Sequence, residues 1–124
     1  ITSESFPTAM TGEPELGQAL RKLKSAFAPT MVCATLGAKG SLALVGDTEI
    51  RTPGFDVDVV DTTGAGDVFR GGFIGGWLLG DSEATVEEVL RYANAVAALS
   101  CQRLGAREGI PTAAEVERFL SRSR

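Results

Sequence analysis

Residues Asp61–Asp67 read DTTGAGD, a glycine-rich turn that closes on an aspartate. The preceding Val57–Val60 carries Val57, Val59 and Val60 and predicts a strand. After the turn a helix is predicted from about Gly66, with Val68, Phe69, Phe73, Ile74, Trp77 and Leu78 at the spacing of one buried face. A helix start offers unpaired N–H groups and the positive end of the helix dipole to an anion. Gly64, Ala65 and Gly66 carry almost no side chain, so a phosphate oxygen can approach the backbone closely. Asp67 sets a carboxylate beside that nest. A carboxylate would repel a stored anion, but it suits chemistry in which it takes a proton while the nest holds a transferring phosphoryl group. The plainer reading is a capped helix start with an ordinary tight turn.

Outward from the turn, Met31–Leu36 is a continuous apolar run that predicts a strand buried on both faces. Its end, Thr35-Leu36-Gly37-Ala38-Lys39-Gly40, lies where open α/β sheets bind ligands. The two glycines permit backbone approach to phosphates or ribose, the Thr35 hydroxyl supplies a hydrogen bond, and Lys39 a flexible positive charge. A simple β-turn with a solvated lysine is the alternative. Downstream, Asn94 sits among Ala93, Ala95, Ala97 and Ala98, which leave room for a flat base beside an amide. The alternative there is an exposed helix asparagine.

DTTGAGD and the segment TLGAKG resemble the signatures of the ribokinase-like (PfkB) carbohydrate and nucleoside kinases. The resemblance implies an α/β fold, a ribokinase-like three-layer α/β/α sandwich, of which residues 1–124 would be the C-terminal nucleotide-binding and catalytic portion only. It implies an ATP-dependent phosphotransferase acting on a hydroxyl of a sugar or related small molecule, with Mg2+ on the nucleotide. Asp67 takes the role of base, Gly64, Ala65 and Gly66 form the anion hole, and Thr35, Gly37, Lys39, Gly40 and Asn94 contact the nucleotide. Asp61 and Thr63 stand where many members bind a monovalent cation such as K+, with carbonyls from Ser100, Arg103 and Gly105. Gly109 occupies a position where potassium-activated relatives often carry a hydroxyl. Alternatively Asp61 and Thr63 only hydrogen-bond the turn. Arg70, one helical turn after Gly66, either faces the phosphates or is simply exposed or paired with a carboxylate.

The opening SESFPTAMTG resembles a degraded N-x-x-E-x-x-x-L-T-G motif, with Ser3 and Phe6 in place of the asparagine and glutamate that help arrange magnesium in the family. Members are usually at least double this length, and the sugar-binding face, lid strands and first half of the sheet have no counterpart here. The expectation is therefore a fragment, inactive by itself, with a non-catalytic nucleotide-binding or structural domain as the alternative. The acceptor is not legible: relatives phosphorylate ribose, fructose, 2-keto-3-deoxygluconate and nucleosides.

Elsewhere, Glu13–Phe27 predicts a helix with Pro14 in its first turn and Leu16, Leu20, Leu23 and Phe27 on one face. Ser41–Val45 and Glu49–Thr52 flank Gly46-Asp47-Thr48 as a hairpin. Capping boxes at Thr85–Glu88 and Thr112–Glu115 open two further helices, the first running to about Arg103. Arg118, Arg122 and Arg124 read as a solvated helix end.

The chain has 124 residues, net charge −4 and no histidine. That length suits one modest domain. The charge gives no footprint for nucleic acid or an anionic membrane, and the lack of histidine excludes His-based acid–base chemistry and catalytic triads. No apolar run is long enough to span a bilayer. Cys33 and Cys101 sit in apolar segments without metal-ligand spacing, which points to a reducing, cytoplasmic setting. No Walker A pattern is present, and Phe69 replaces the third glycine of a dinucleotide fingerprint. Partners are then ATP and a small sugar-like molecule, with a homodimer admitted.

Overall fold

The computed structural model describes residues 1–123, so Arg124 lies outside the described residues. It divides at the end of a β-hairpin into two compact units, Ile1–Thr52 and a second beginning at Pro53.

The first unit is a four-stranded sheet with two helices. Strand β1 (Thr2–Ser3), helices α1 (Ser5–Thr11) and α2 (Leu16–Phe27), and strands β2 (Met31–Thr35), β3 (Ser41–Val45) and β4 (Thr48–Thr52) follow in chain order. The sheet order is β1-β2-β3-β4, with β1 parallel to β2 and the other pairs antiparallel. The predicted hairpin is present, with Val45 opposite Thr48 across Gly46 and Asp47. As expected of a strand buried on both faces, Val32, Cys33 and Ala34 are all buried. Burial pushes the Cys33 thiol up to about 11.

Leu20 and Leu23 of α2 pack on Val32, Ala34, Leu36, Leu42 and Leu44, with Leu16 at the margin. This helix starts later than predicted. Glu15 is its N-cap, its carboxylate accepting the Gly17 and Gln18 N–H groups at 3.0 and 2.6 Å. Pro14 therefore precedes the helix instead of occupying its first turn. Phe27, predicted on the apolar face, is 67% exposed because the chain turns away at Ala28 in the left-handed conformation. The short β1 was not anticipated, since two residues carry no periodicity to read.

The second unit consists of helices α3 (Ala65–Leu79), α4 (Val86–Ser100) and α5 (Ala113–Arg122). Both capping boxes are present: Thr85 with Glu88, and Thr112 with Glu115. Helix α4 ends at Ser100, short of the predicted Arg103. Val68, Ala95, Val96 and Val116 form one buried cluster, with Phe55, Tyr92, Leu99, Phe119 and Leu120 packed against it. The predicted face of α3 is corrected in part. Val68 and Phe69 are buried, but Ile74, Trp77 and Leu78 are exposed, and the seam against α4 runs through Gly72 and Gly76. A methyl group at Gly72 would lie 3.0 Å from Val96 and 3.1 Å from Ala93, and one at Gly76 would lie 3.0 Å from Tyr92. The two helices approach at the glycines, which turns the large apolar side chains outward.

Val57–Val60 is not a strand. It belongs to none of the described strands, and Val59 and Val60 are exposed. Its end is anchored instead by the Val60 and Asp61 N–H groups, which both donate to the Cys101 carbonyl at 2.8 and 3.1 Å. Among the described residues no helix is long and apolar enough to cross a membrane.

Candidate active site

The Asp61–Asp67 turn is built from its backbone outward. Gly64 is the N-cap of α3 with φ of +76°, a left-handed conformation that any side chain would strain, and a methyl there would lie 3.0 Å from the Ala106 side chain. The Ala65 N–H donates to Thr62 at 3.1 Å, and Val68 N–H to Gly64 at 2.9 Å. The Gly66 and Asp67 N–H groups, in the first turn, have no backbone acceptor among the described residues. They are the orphan donors that a helix start presents to an anion.

Asp67 lies in that first turn with its side chain 87% exposed, and its Oδ1 accepts from the Arg70 guanidinium at 2.9 Å. Arg70 is both exposed and paired with this carboxylate, as its plainer reading had it. The i,i+3 spacing was its signal in the sequence.

Asp61 joins the turn to the loop after α4. Its Oδ1 accepts the Thr63 N–H and its Oδ2 the Gly105 N–H, each at 2.9 Å. Hydrogen bonding from Thr63, then from Gly105, holds the Asp61 carboxyl below its ordinary value of 3.8. Ser100 is buried, its hydroxyl donating to the Ala97 carbonyl at 2.7 Å. Gly109 packs so closely on the Ser100 carbonyl that no side chain fits there. A glycine at this position is thus demanded by packing. The structure brings Asp61, Thr63, Gly64 and Gly105 together. The Arg103 side chain is directed to Glu115, at 3.1 Å. Ala106, which walls the turn beside Gly64, was not singled out in the sequence because only the folded loop delivers it.

Asn94 is buried, 6% exposed, between Ala93 and Ala95 of α4, which removes the exposed-asparagine alternative.

In the first unit, Gly37–Lys39 forms a single 3-10 turn between β2 and β3, closed by the Leu36 N–H to Gly40 carbonyl bond at 2.8 Å. Gly37 and Gly40 have φ of +58° and +98°, and Lys39 is exposed. The Thr35 hydroxyl donates to the Thr2 carbonyl at 3.3 Å, bracing β1. A groove of about 560 Å3 opens where β1 and β2 end, lined by Ser3, Glu4, Ser5, Thr8, Thr35 and Gly37 among others. Ser3 thus shares a groove with the glycine-rich turn, whereas Phe6 is 47% exposed. Among the described residues no cluster of three or more acidic or cysteine side chains could hold a metal ion.

Comparison with known proteins gives these arrangements a context. Residues 4–113 match the model of the pfkB family carbohydrate kinases. An ATP-dependent ribose-1-phosphate kinase of Halopiger xanaduensis is 56% identical over 69 residues, covering 56% of this chain and 22% of that protein. A ribokinase of Bacillus subtilis is 41% identical over 96 residues, covering 77% of this chain and 32% of that one. The structure of an Arabidopsis thaliana ribokinase complexed with ribose and ATP superposes with a TM-score of 0.86 at 32% identity, over 96% of this chain and 39% of that one. The fold is therefore the ribokinase-like α/β fold, and the chain spans between 22% and 39% of the length of these relatives.

Proposed function

The chain belongs to the pfkB family of carbohydrate kinases, and from that premise we propose that it supplies the phosphoryl-transfer part of an ATP-dependent kinase of a sugar or sugar-like alcohol. The observation that carries this reading is the pairing, in one helical turn, of open N–H groups at Gly66 and Asp67 with an exposed Asp67 carboxylate. The Gly64–Gly66 backbone holds the transferring phosphoryl group. Asp67 orients the acceptor hydroxyl and takes its proton as the bond to phosphorus forms. Arg70 holds that carboxylate in place before substrate arrives.

Thr35, Gly37, Lys39 and Gly40 receive the nucleotide phosphates or ribose, and Asn94 contacts the nucleotide. Magnesium, if it enters with the nucleotide, would supply charge neutralisation on the phosphates, and no carboxylate of this chain is assigned to hold it. Asp61, Thr63 and the carbonyls of Ser100, Arg103 and Gly105 suit a monovalent cation, with potassium the candidate. The chain covers 39% of the ribokinase on which it superposes, so the acceptor side belongs to further sequence, and the 124 residues bind ATP weakly and turn nothing over. A non-catalytic nucleotide-binding domain is the competing reading, favoured by the same partial coverage.

Measuring ADP release from this chain and from an extended chain that completes the family fold separates them. The extended chain is expected to phosphorylate a sugar, and Asp67→Asn in it to lose roughly 10²–10⁴ in kcat. Full activity of that variant would remove Asp67 from the chemistry. Robust sugar phosphorylation by the 124-residue chain would remove the need for further sequence.

A further inference from the structure

A cavity of about 220 Å3 lies between the end of α4, the following loop and α5, lined by Leu99, Arg103, Pro111, Arg118, Phe119 and Arg122 among others. Its charge is lopsided. Among the described residues Glu115 is the one carboxylate in its wall, and Arg103 pairs with it at 3.1 Å. Arg118 and Arg122 stand one helical turn apart on α5, and neither guanidinium has a carboxylate partner among the described residues. Leu99, Pro111 and Phe119 add an apolar surface beside them. Guanidinium forks in a concave site select phosphate oxygens in preference to a single point charge. The volume is below that of a drug-sized pocket and suits the phosphate end of a small metabolite.

The loop in its wall is also the loop that holds the Asp61–Asp67 turn. Arg103 and Gly109 line the cavity. Between them, Gly105 donates to Asp61 and Ala106 abuts Gly64, while Cys101 accepts from Val60 and Asp61. We propose that this cavity is an accessory site for the phosphate group of a small phosphomonoester, and that the 101–109 loop relays its occupancy to the turn.

Titration of the ¹⁵N-labelled chain with glucose 6-phosphate, and separately with inorganic phosphate, tests this. Saturable shifts are expected at Arg103, Gly109 and the α5 amides, accompanied by shifts at Thr63–Gly66. The phosphomonoester should bind more tightly than phosphate because its carbon skeleton meets the apolar wall. Changing Arg118→Gln and Arg122→Gln together, both exposed on α5, should weaken binding by at least about tenfold, as losing a charge-assisted hydrogen bond would. An unchanged heteronuclear spectrum before titration would show that the variant is folded. Absence of saturation, equal binding of inorganic phosphate, or shifts at Thr63–Gly66 that persist in the double variant would each overturn the proposal. The last outcome would place the phosphate directly on the α3 start. Saturation without shifts at Thr63–Gly66 would overturn the relay.

Discussion

Asp61 accepts the Gly105 N–H at 2.9 Å across 44 positions of sequence, and the same carboxylate accepts Thr63 at 2.9 Å. One side chain therefore fixes both the turn that opens α3 and the loop that follows α4. An asparagine amide has only one acceptor oxygen, so Asp61→Asn can keep one of these bonds at most. Hydrogen exchange at Gly105 or Thr63 should speed up in that variant, with the α4 core amides protected as before. Unchanged exchange at both would show that the loop is held by other means.

The same carboxylate predicts a pH response. Its folded value is lowered from 3.8 by the bonds to Thr63 and Gly105, so ionised Asp61 favours the folded state above that value. The contribution is lost as pH falls through the lower folded value. Amide shifts of Thr63 and Gly105 should therefore move together in acid, with a midpoint under 3.8. In Asp61→Asn that transition should vanish. A midpoint above the ordinary value would contradict the assignment.

Gly64 combines a φ of +76° with an Ala106 side chain 3.0 Å from where a methyl would sit. Gly64→Ala is expected to cost about 1–2 kcal/mol from the left-handed conformation alone, with the contact adding to it. Urea denaturation of the isolated chain measures this. A loss below about 0.5 kcal/mol would mean that the turn relaxes freely, and a relaxed turn could not serve as a preorganised anion hole.

Helix α3 offers an internal control. A methyl at Gly72 would press on Val96 and the Ala93 backbone at 3.0–3.1 Å, while nothing lies within 4 Å of one at Gly75. Gly75→Ala should stabilise by about 0.5–1 kcal/mol through helix propensity. Gly72→Ala should destabilise by about 1–3 kcal/mol despite the same gain, because the α3–α4 seam must open. Equal effects at both positions would refute the close approach of these helices.

That seam also shows where the sequence was legible. Capping boxes at Thr85 and Thr112, the turn at Gly46-Asp47 and the buried run in β2 are local devices, and each appears where its residues predict it. The face of α3 was read from its large apolar residues, but which face is buried is decided by how near α4 can come, and that depends on Gly72 and Gly76. Val57–Val60 has strand composition, yet a strand needs a neighbouring edge, and the pattern of one segment cannot supply it. DTTGAGD exposed its own chemistry because glycine and aspartate act there through backbone and position. Its supports, Gly105 and Ala106, come from a loop whose alignment with the turn exists only after folding.

Asp67 separates function from stability. Its side chain is 87% exposed and, among the described residues, pairs with Arg70, itself 45% exposed, and such pairs contribute about 0–1 kcal/mol. Asp67→Asn should therefore leave the urea midpoint of the isolated chain within about 0.5 kcal/mol of the parent. If Asp67→Asn instead cost several kcal/mol, the carboxylate would be a structural support of the α3 start, and loss of activity in an extended kinase would no longer identify it as the base. A neutral effect on folding, joined to a large loss of turnover in the extended chain, is the combination that only a group acting on substrate produces.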